Sequence, residues 1–134
     1  MAHGENTNGS TGHTVTAVPG TQRITVEIDG RTVADSRRPV LVYETGIPVR
    51  FYLPPDDVDL TLFDATDTHT TCPFKGLASY WTLRGDDTHP ARPDVAWAYE
   101  DPIPVVSGIK GHLSFYDTVA QVTVEGEVPP APAV

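Results

Sequence analysis

The residues best suited to chemistry are concentrated in segment 71–81, which holds the only cysteine and one of the two lysines, beside aromatic side chains. Cys72 precedes Pro73, so its backbone is pushed toward extended geometry. Lys75 follows three residues later. In a bent loop, the lysine ammonium would lower the thiol pKa and make the sulfur a nucleophile. Cys72 and Lys75 are therefore the candidate catalytic pair.

The alternative interpretation is that Cys72 is unreactive and has a structural role, because a free cysteine packs as a small hydrophobic side chain. Cysteine catalysis also usually needs a histidine base, and only His69 and His112 lie in the part of the chain that we expect to form a core. Neither spacing is diagnostic of a base or of a metal site with Cys72. We therefore predict no metal and no cofactor, and the sequence does not decide whether the protein is an enzyme.

A second group of candidates lies on predicted strands. Side chains alternate between the two faces of a strand, so Arg50 and Tyr52 share one face, and Trp97 and Tyr99 share another. The aromatic residues can simply be core, which would make the protein a structural or interaction module.

Gathered around one cavity, these side chains would form a binding site instead. A mostly apolar pocket with a few convergent polar groups is typical of small-molecule sites. The positive charges of Arg50 and Lys75, in a protein that is otherwise acidic, favour a ligand with a carboxylate or phosphate group. The predicted ligand-binding residues are Glu44, Arg50, Tyr52, Thr71, Tyr80, Trp97, Tyr99 and Tyr116.

Short strands should carry these residues, because apolar residues recur along the chain with a period of two. Asp-Gly at 29–30 separates two alternating segments and predicts a tight hairpin. Further strands are predicted at 40–44, 49–53, 77–84, 95–100, 113–116 and 121–124. Only 55–63 and 103–109 could hold short helical turns. The fold class is all-β: one compact domain of antiparallel strands, as a sandwich or partly open barrel.

Composition and charge narrow the function classes. Eighteen acidic against nine basic residues give a net charge of −9, which disfavours nucleic acids and anionic membranes as partners. No apolar run approaches the ~20 residues that span a bilayer, and no secretory signal pattern begins the chain, so we expect a cytoplasmic protein. We expect a disordered leader over 1–20, a folded domain over 21–127 and a disordered proline-rich tail over 128–134. An exposed strand edge permits a monomer or a homodimer.

Four motifs resemble those of the bacterial and fungal DUF427 family, a domain of undefined activity. They are Arg-x-Tyr-x-Pro, Thr-x-Cys-Pro-x-Lys-Gly-x-Ala-x-Tyr, Ala-Trp-x-Tyr-x-x-Pro and Phe-Tyr, at 50–54, 70–80, 96–102 and 115–116. The resemblance covers about residues 23–126 and implies a β-tent-like fold with these residues around one concavity. The Cys-x-x-Cys pairs with which β-tent relatives bind zinc do not occur in this sequence, so the resemblance implies no metal site here. Some family labels suggest nucleotidyl transfer, but no phosphate-binding glycine motif is present.

Overall fold

The computed structural model describes residues 12–132 of the chain. In this range there are ten β-strands, connected by turns and three short 3₁₀ helices. The strands are β1 (Val15–Pro19), β2 (Arg23–Ile28), β3 (Arg31–Ser36), β4 (Val40–Glu44), β5 (Ile47–Tyr52), β6 (Phe63–Cys72), β7 (Gly76–Leu83), β8 (Arg92–Tyr99), β9 (Leu113–Phe115) and β10 (Gln121–Glu125).

The strands form three small antiparallel sheets, with the orders β1-β4-β5, β10-β2-β3 and β6-β7-β8-β9. None of them closes into a barrel within the described range. The 3₁₀ helices span Pro55–Asp57, Leu60–Leu62 and Pro104–Ile109. The all-β prediction is confirmed, including the short helical turns. No helix among residues 12–132 has the length and apolar character needed to cross a membrane.

Two hairpins follow from the turn residues. Asp29 and Gly30 both have positive φ, at 53° and 82°, which is the geometry that joins β2 to β3 in two residues. The β4–β5 turn is also tight, because Gly46 has a φ of 85° and β5 begins directly afterwards at Ile47. The predicted β5 started two residues later, at Val49.

The buried side chains form two clusters. The first core is mainly aliphatic and includes Ile24, Val26, Val33, Leu83, Ala96 and Ala98. The second core is rich in aromatic side chains and includes Val42, Tyr52, Tyr80, Trp97 and Tyr99. Strand β8 contributes to both, because alternate residues of a strand point to opposite faces. Trp97 and Tyr99 belong to the second core, as their shared face predicts, whereas Ala96 and Ala98 belong to the first.

The strand β1 was not predicted, because this short segment directly follows a polar stretch and was grouped with it. The structure pairs it antiparallel with β4, from Val15 opposite Glu44 to Pro19 opposite Val40. Val15 is only 2% exposed and joins the second core. The folded part therefore starts before residue 21, and the expected disordered leader does not extend through β1. Residues 1–11 of that leader lie outside the described residues.

Strand β6 was missed as well, since it has ten residues with little apolar alternation. It pairs with β7 on one side and forms the edge of its sheet, so most of its side chains face solvent. Asp64 and Asp67, which are residue types that often occur in turns, both lie on this strand.

At the other end, residues 126–132 have no regular secondary structure, and residues 133–134 are outside the described range. Among the described residues, two side-chain hydrogen bonds connect the tail to the domain. The Tyr43 hydroxyl donates to the Pro129 carbonyl at 2.8 Å, and the Gln22 amide donates to the Glu127 carbonyl at 2.9 Å.

Candidate functional site

A cavity of about 160 Å³ lies beside the second core, where β4, β5, β7 and β8 come together. We call it the tyrosine pocket. Eight of the ten predicted site residues line it, together with two apolar strand residues that the sequence analysis did not select. The lining residues are Val42, Glu44, Ile47, Arg50, Tyr52, Lys75, Tyr80, Trp97, Tyr99 and Tyr116. Val42 and Ile47 were missed because their side chains carry no chemical signal.

Strand register explains why these residues meet. Arg50 lies opposite Val42 in the β4–β5 pair, and Tyr80 lies opposite Trp97 in the β7–β8 pair. Alternate positions on each strand then project to the same side, which gives the pocket both members of each predicted pair. Lys75 reaches it from the β6–β7 turn. That turn is closed by Gly76, whose φ of 126° favours glycine.

Lys75 is 8% exposed, and its ammonium is hydrogen-bonded to one oxygen of Glu44. The other Glu44 oxygen lies 3.1 Å from His13 Nε2. The His13 ring stacks on Phe74 with 3.9 Å between ring centroids. A buried ammonium is costly unless it is paired, so Glu44 provides the partner that Lys75 needs. The role of His13 was missed, because a single histidine in a polar segment looks like part of a leader.

Arg50 is the other cation of the pocket and is half-buried. Its guanidinium carbon lies 5.0 Å from the centre of the Trp97 ring, and its Nη1 donates to the Phe115 carbonyl at 3.4 Å. Among residues 12–132 no carboxylate lies within ion-pair distance of it. Five other arginines do form such pairs: Arg23, Arg31, Arg38, Arg84 and Arg92. The Arg50 charge is therefore available to an anion.

Three phenol groups of the pocket, those of Tyr52, Tyr99 and Tyr116, keep their protons at neutral pH. Burial raises the pKa of Tyr52 to about 12 and that of Tyr116 to about 12, and it also raises the pKa of Tyr99. Trp97 Nε1 donates to the Tyr52 hydroxyl at 3.2 Å. The Tyr80 hydroxyl lies 2.8 Å from Thr70 Oγ1. No hydrogen bond joins the Tyr99 hydroxyl to any residue of the described range, so it can serve a ligand.

Comparison with protein families identifies the domain. The model of a family described as a domain of unknown function, DUF427, matches residues 16–126. The chain belongs to the DUF427 family. The match begins inside β1 and includes every residue of the tyrosine pocket, so the pocket is part of the DUF427 domain itself. No curated protein sequence matches the chain.

Two predicted residues of this DUF427 domain do not line the tyrosine pocket. Thr71 is exposed on the edge strand β6. Cys72 is half-buried at the end of β6 and packs against the second core. The backbone N–H of Lys75 donates a hydrogen bond to the Cys72 carbonyl at 3.1 Å. The Lys75 ammonium is hydrogen-bonded to Glu44 and not to the Cys72 sulfur. Catalysis at Cys72 stays a prediction without the activating contact that it assumed.

The histidines of the DUF427 domain make local contacts. His69 Nδ1 lies 3.5 Å from Ser79 Oγ, and His112 Nδ1 lies 3.0 Å from the Lys110 carbonyl oxygen. Within the part of the chain that the structure describes, no three side chains of His, Cys, Asp or Glu are grouped as metal ligands would be.

Proposed function

We propose that this DUF427 domain binds a small anionic molecule, carrying a carboxylate or phosphate group, in the tyrosine pocket. The position of Arg50 supports the proposal. Its half-buried guanidinium borders a cavity and has no carboxylate partner among residues 12–132. Guanidinium groups pair with carboxylate and phosphate oxygens through strong, charge-assisted hydrogen bonds.

The local charge favours an anion although the protein as a whole does not. The chain carries a net charge of −9, so an anion is repelled at long range. Inside the pocket, Glu44 neutralises Lys75, and the Arg50 charge remains. A ligand with one negative charge would complete the electrostatics of the site.

The neighbouring groups suit the same ligand. The Trp97 ring holds the guanidinium by a cation–π contact at 5.0 Å, which limits its freedom before any ligand arrives. The protonated hydroxyl of Tyr99 can donate to a second ligand oxygen. Carboxylate oxygens accept several hydrogen bonds at once, and donors from two directions orient them.

The size of the pocket restricts what enters it. Its volume of about 160 Å³ is below the roughly 300–1,000 Å³ of typical drug-sized sites. A free acetate or inorganic phosphate ion fits, and so does the anionic headgroup of a larger molecule. A nucleotide does not fit inside this pocket alone.

Isothermal titration calorimetry with acetate and with inorganic phosphate tests the proposal. We expect at least one anion to bind, and Arg50→Gln to weaken binding about tenfold or more, because a hydrogen bond to a charged group contributes roughly 1.5–3 kcal/mol. The matched control is Arg37→Gln, which removes the same charge from an exposed arginine outside the pocket.

Two results would overturn the proposal. One is that neither acetate nor phosphate binds to the wild-type protein. The other is equal weakening in Arg50→Gln and Arg37→Gln, since that would indicate a general charge effect instead of a site. A melting curve of each variant confirms that it is folded before the titrations are compared.

A further inference from the structure

A second and larger cavity, of about 570 Å³, lies between the β10-β2-β3 sheet and the strands β5 and β9. We call it the apolar cleft. Its walls include Val49, Phe51, Phe115, Val122 and Val124. The volume lies inside the range of roughly 300–1,000 Å³ that is usual for small-molecule sites. The tyrosine pocket is too small for such a molecule, whereas the cleft is large enough.

The cavities meet at Arg50, which lines both of them. Strand β5 borders both cavities: its residues 48–51 line the cleft, and Ile47, Arg50 and Tyr52 line the pocket. Phe51 packs toward the first core, whereas Tyr52 belongs to the second. The Arg50 guanidinium is held between the two sides, over the Trp97 ring of the pocket and hydrogen-bonded to the carbonyl of Phe115, a residue of the cleft.

We propose that the natural ligand is amphipathic, with its anionic headgroup at Arg50 and an apolar chain or ring in the apolar cleft. This inference rests on the proposed function, because the headgroup is the anion of the tyrosine pocket. The cleft supplies what that pocket lacks, which is room and apolar surface for the rest of the molecule.

The charges along the cleft also select this ligand. Arg50 is its one cation and Asp117 its one carboxylate among the described lining residues. Asp117 is exposed and would repel a second negative group on the ligand. A molecule with one anionic end and an apolar remainder is therefore favoured over a dicarboxylate.

Several wall residues are only half-buried in the protein alone, including Phe51, Val122 and Val124. A ligand that covers them removes apolar surface from water on both sides of the contact. Each buried methylene group should tighten binding about fourfold, from the usual transfer free energy of a CH₂ group.

A series of straight-chain carboxylates tests this inference by calorimetry: acetate, butyrate, hexanoate and octanoate. We expect the Kd to fall about fourfold per added methylene until the cleft is filled. Octanol has the same apolar chain without the charge and should bind at least tenfold more weakly than octanoate.

Two substitutions on β10 locate the chain. Val122→Phe places a larger side chain in the cleft and should remove the dependence of the Kd on chain length. The matched control is Thr123→Phe on the same strand, because Thr123 is exposed and does not line the cleft. If Val122→Phe does not fold, Val124→Phe tests the same wall, with Glu125→Phe as its control.

The outcomes separate this inference from the proposed function. If acetate binds through Arg50 but longer carboxylates bind no better, the amphipathic ligand is wrong and the anion site stands. If no carboxylate and no phosphate binds, both fail. A dependence on chain length that persists equally in both phenylalanine variants would place the chain elsewhere and overturn the inference.

Discussion

The two hydrophobic cores bury different kinds of atoms. The buried members of the first core are aliphatic or phenylalanine side chains without polar atoms. The second core buries three phenol groups and an indole, and the Lys75–Glu44 ion pair lies beside it. Buried polar groups cost free energy unless they are paired, so an apolar second core would be easier to stabilise. The core with the larger number of buried polar groups is therefore the one that borders the tyrosine pocket.

Breaking the Lys75–Glu44 pair should have the largest effect. Lys75→Met leaves the Glu44 carboxylate 90% covered without its ammonium, and removing one partner of a buried pair costs about 3–5 kcal/mol. Urea unfolding followed by circular dichroism measures the loss. The double variant Lys75→Met with Glu44→Gln should recover part of it, because the uncompensated charge is then gone.

The control for this substitution is the other lysine of the chain. Lys110 is exposed, and Lys110→Met should change the free energy of unfolding by less than about 0.5 kcal/mol. Equal effects of the two substitutions would mean that the buried pair contributes nothing beyond ordinary surface charge.

The phenol of Tyr52 in the second core should make the protein sensitive to alkaline pH. The pKa of Tyr52 is raised to about 12 by burial, so the folded state retains this proton above pH 10 whereas the unfolded state releases it. The stabilisation is complete below pH 10 and is lost as the pH rises from 10 to 12. Unfolding midpoints in urea between pH 9 and pH 12 measure the decline.

Tyr52→Phe serves as the comparison for this pH dependence. The variant lacks the titrating phenol, so its unfolding midpoint should fall less steeply over the same interval. Identical slopes for the variant and the wild type would show that the alkaline sensitivity arises elsewhere in the molecule.

The smallest expected effect on stability is at Tyr99. Its hydroxyl makes no hydrogen bond to the residues that the structure describes, so Tyr99→Phe should change the free energy of unfolding by less than about 0.5 kcal/mol. The same variant should weaken acetate or phosphate binding severalfold, measured by calorimetry, because a ligand donor is lost. A large loss of stability without any change in binding would assign Tyr99 to the core alone.

Much of the candidate site was predictable from local pattern. Alternation along β5 and β8 placed Arg50 with Tyr52 and Trp97 with Tyr99, and the structure keeps both pairs on one side of their strands. The partner of Lys75 was less predictable, since Glu44 is 31 residues away in the chain and Cys72 only three. Sequence proximity favoured the thiol, whereas the register of β4 brought the carboxylate to the ammonium.

The all-β class, the tight β2–β3 turn and the faces of the central strands could be inferred from the chain alone, because they depend on side-chain alternation and on positive φ at Asp29 and Gly30. The edge strands and the apolar cleft became visible only in the folded molecule. Edge strands such as β6 need little apolar alternation, and the cleft forms where β10 lies near β5, a strand far away in the chain. Such contacts depend on how the sheets pack against one another, and local residue patterns do not predict them.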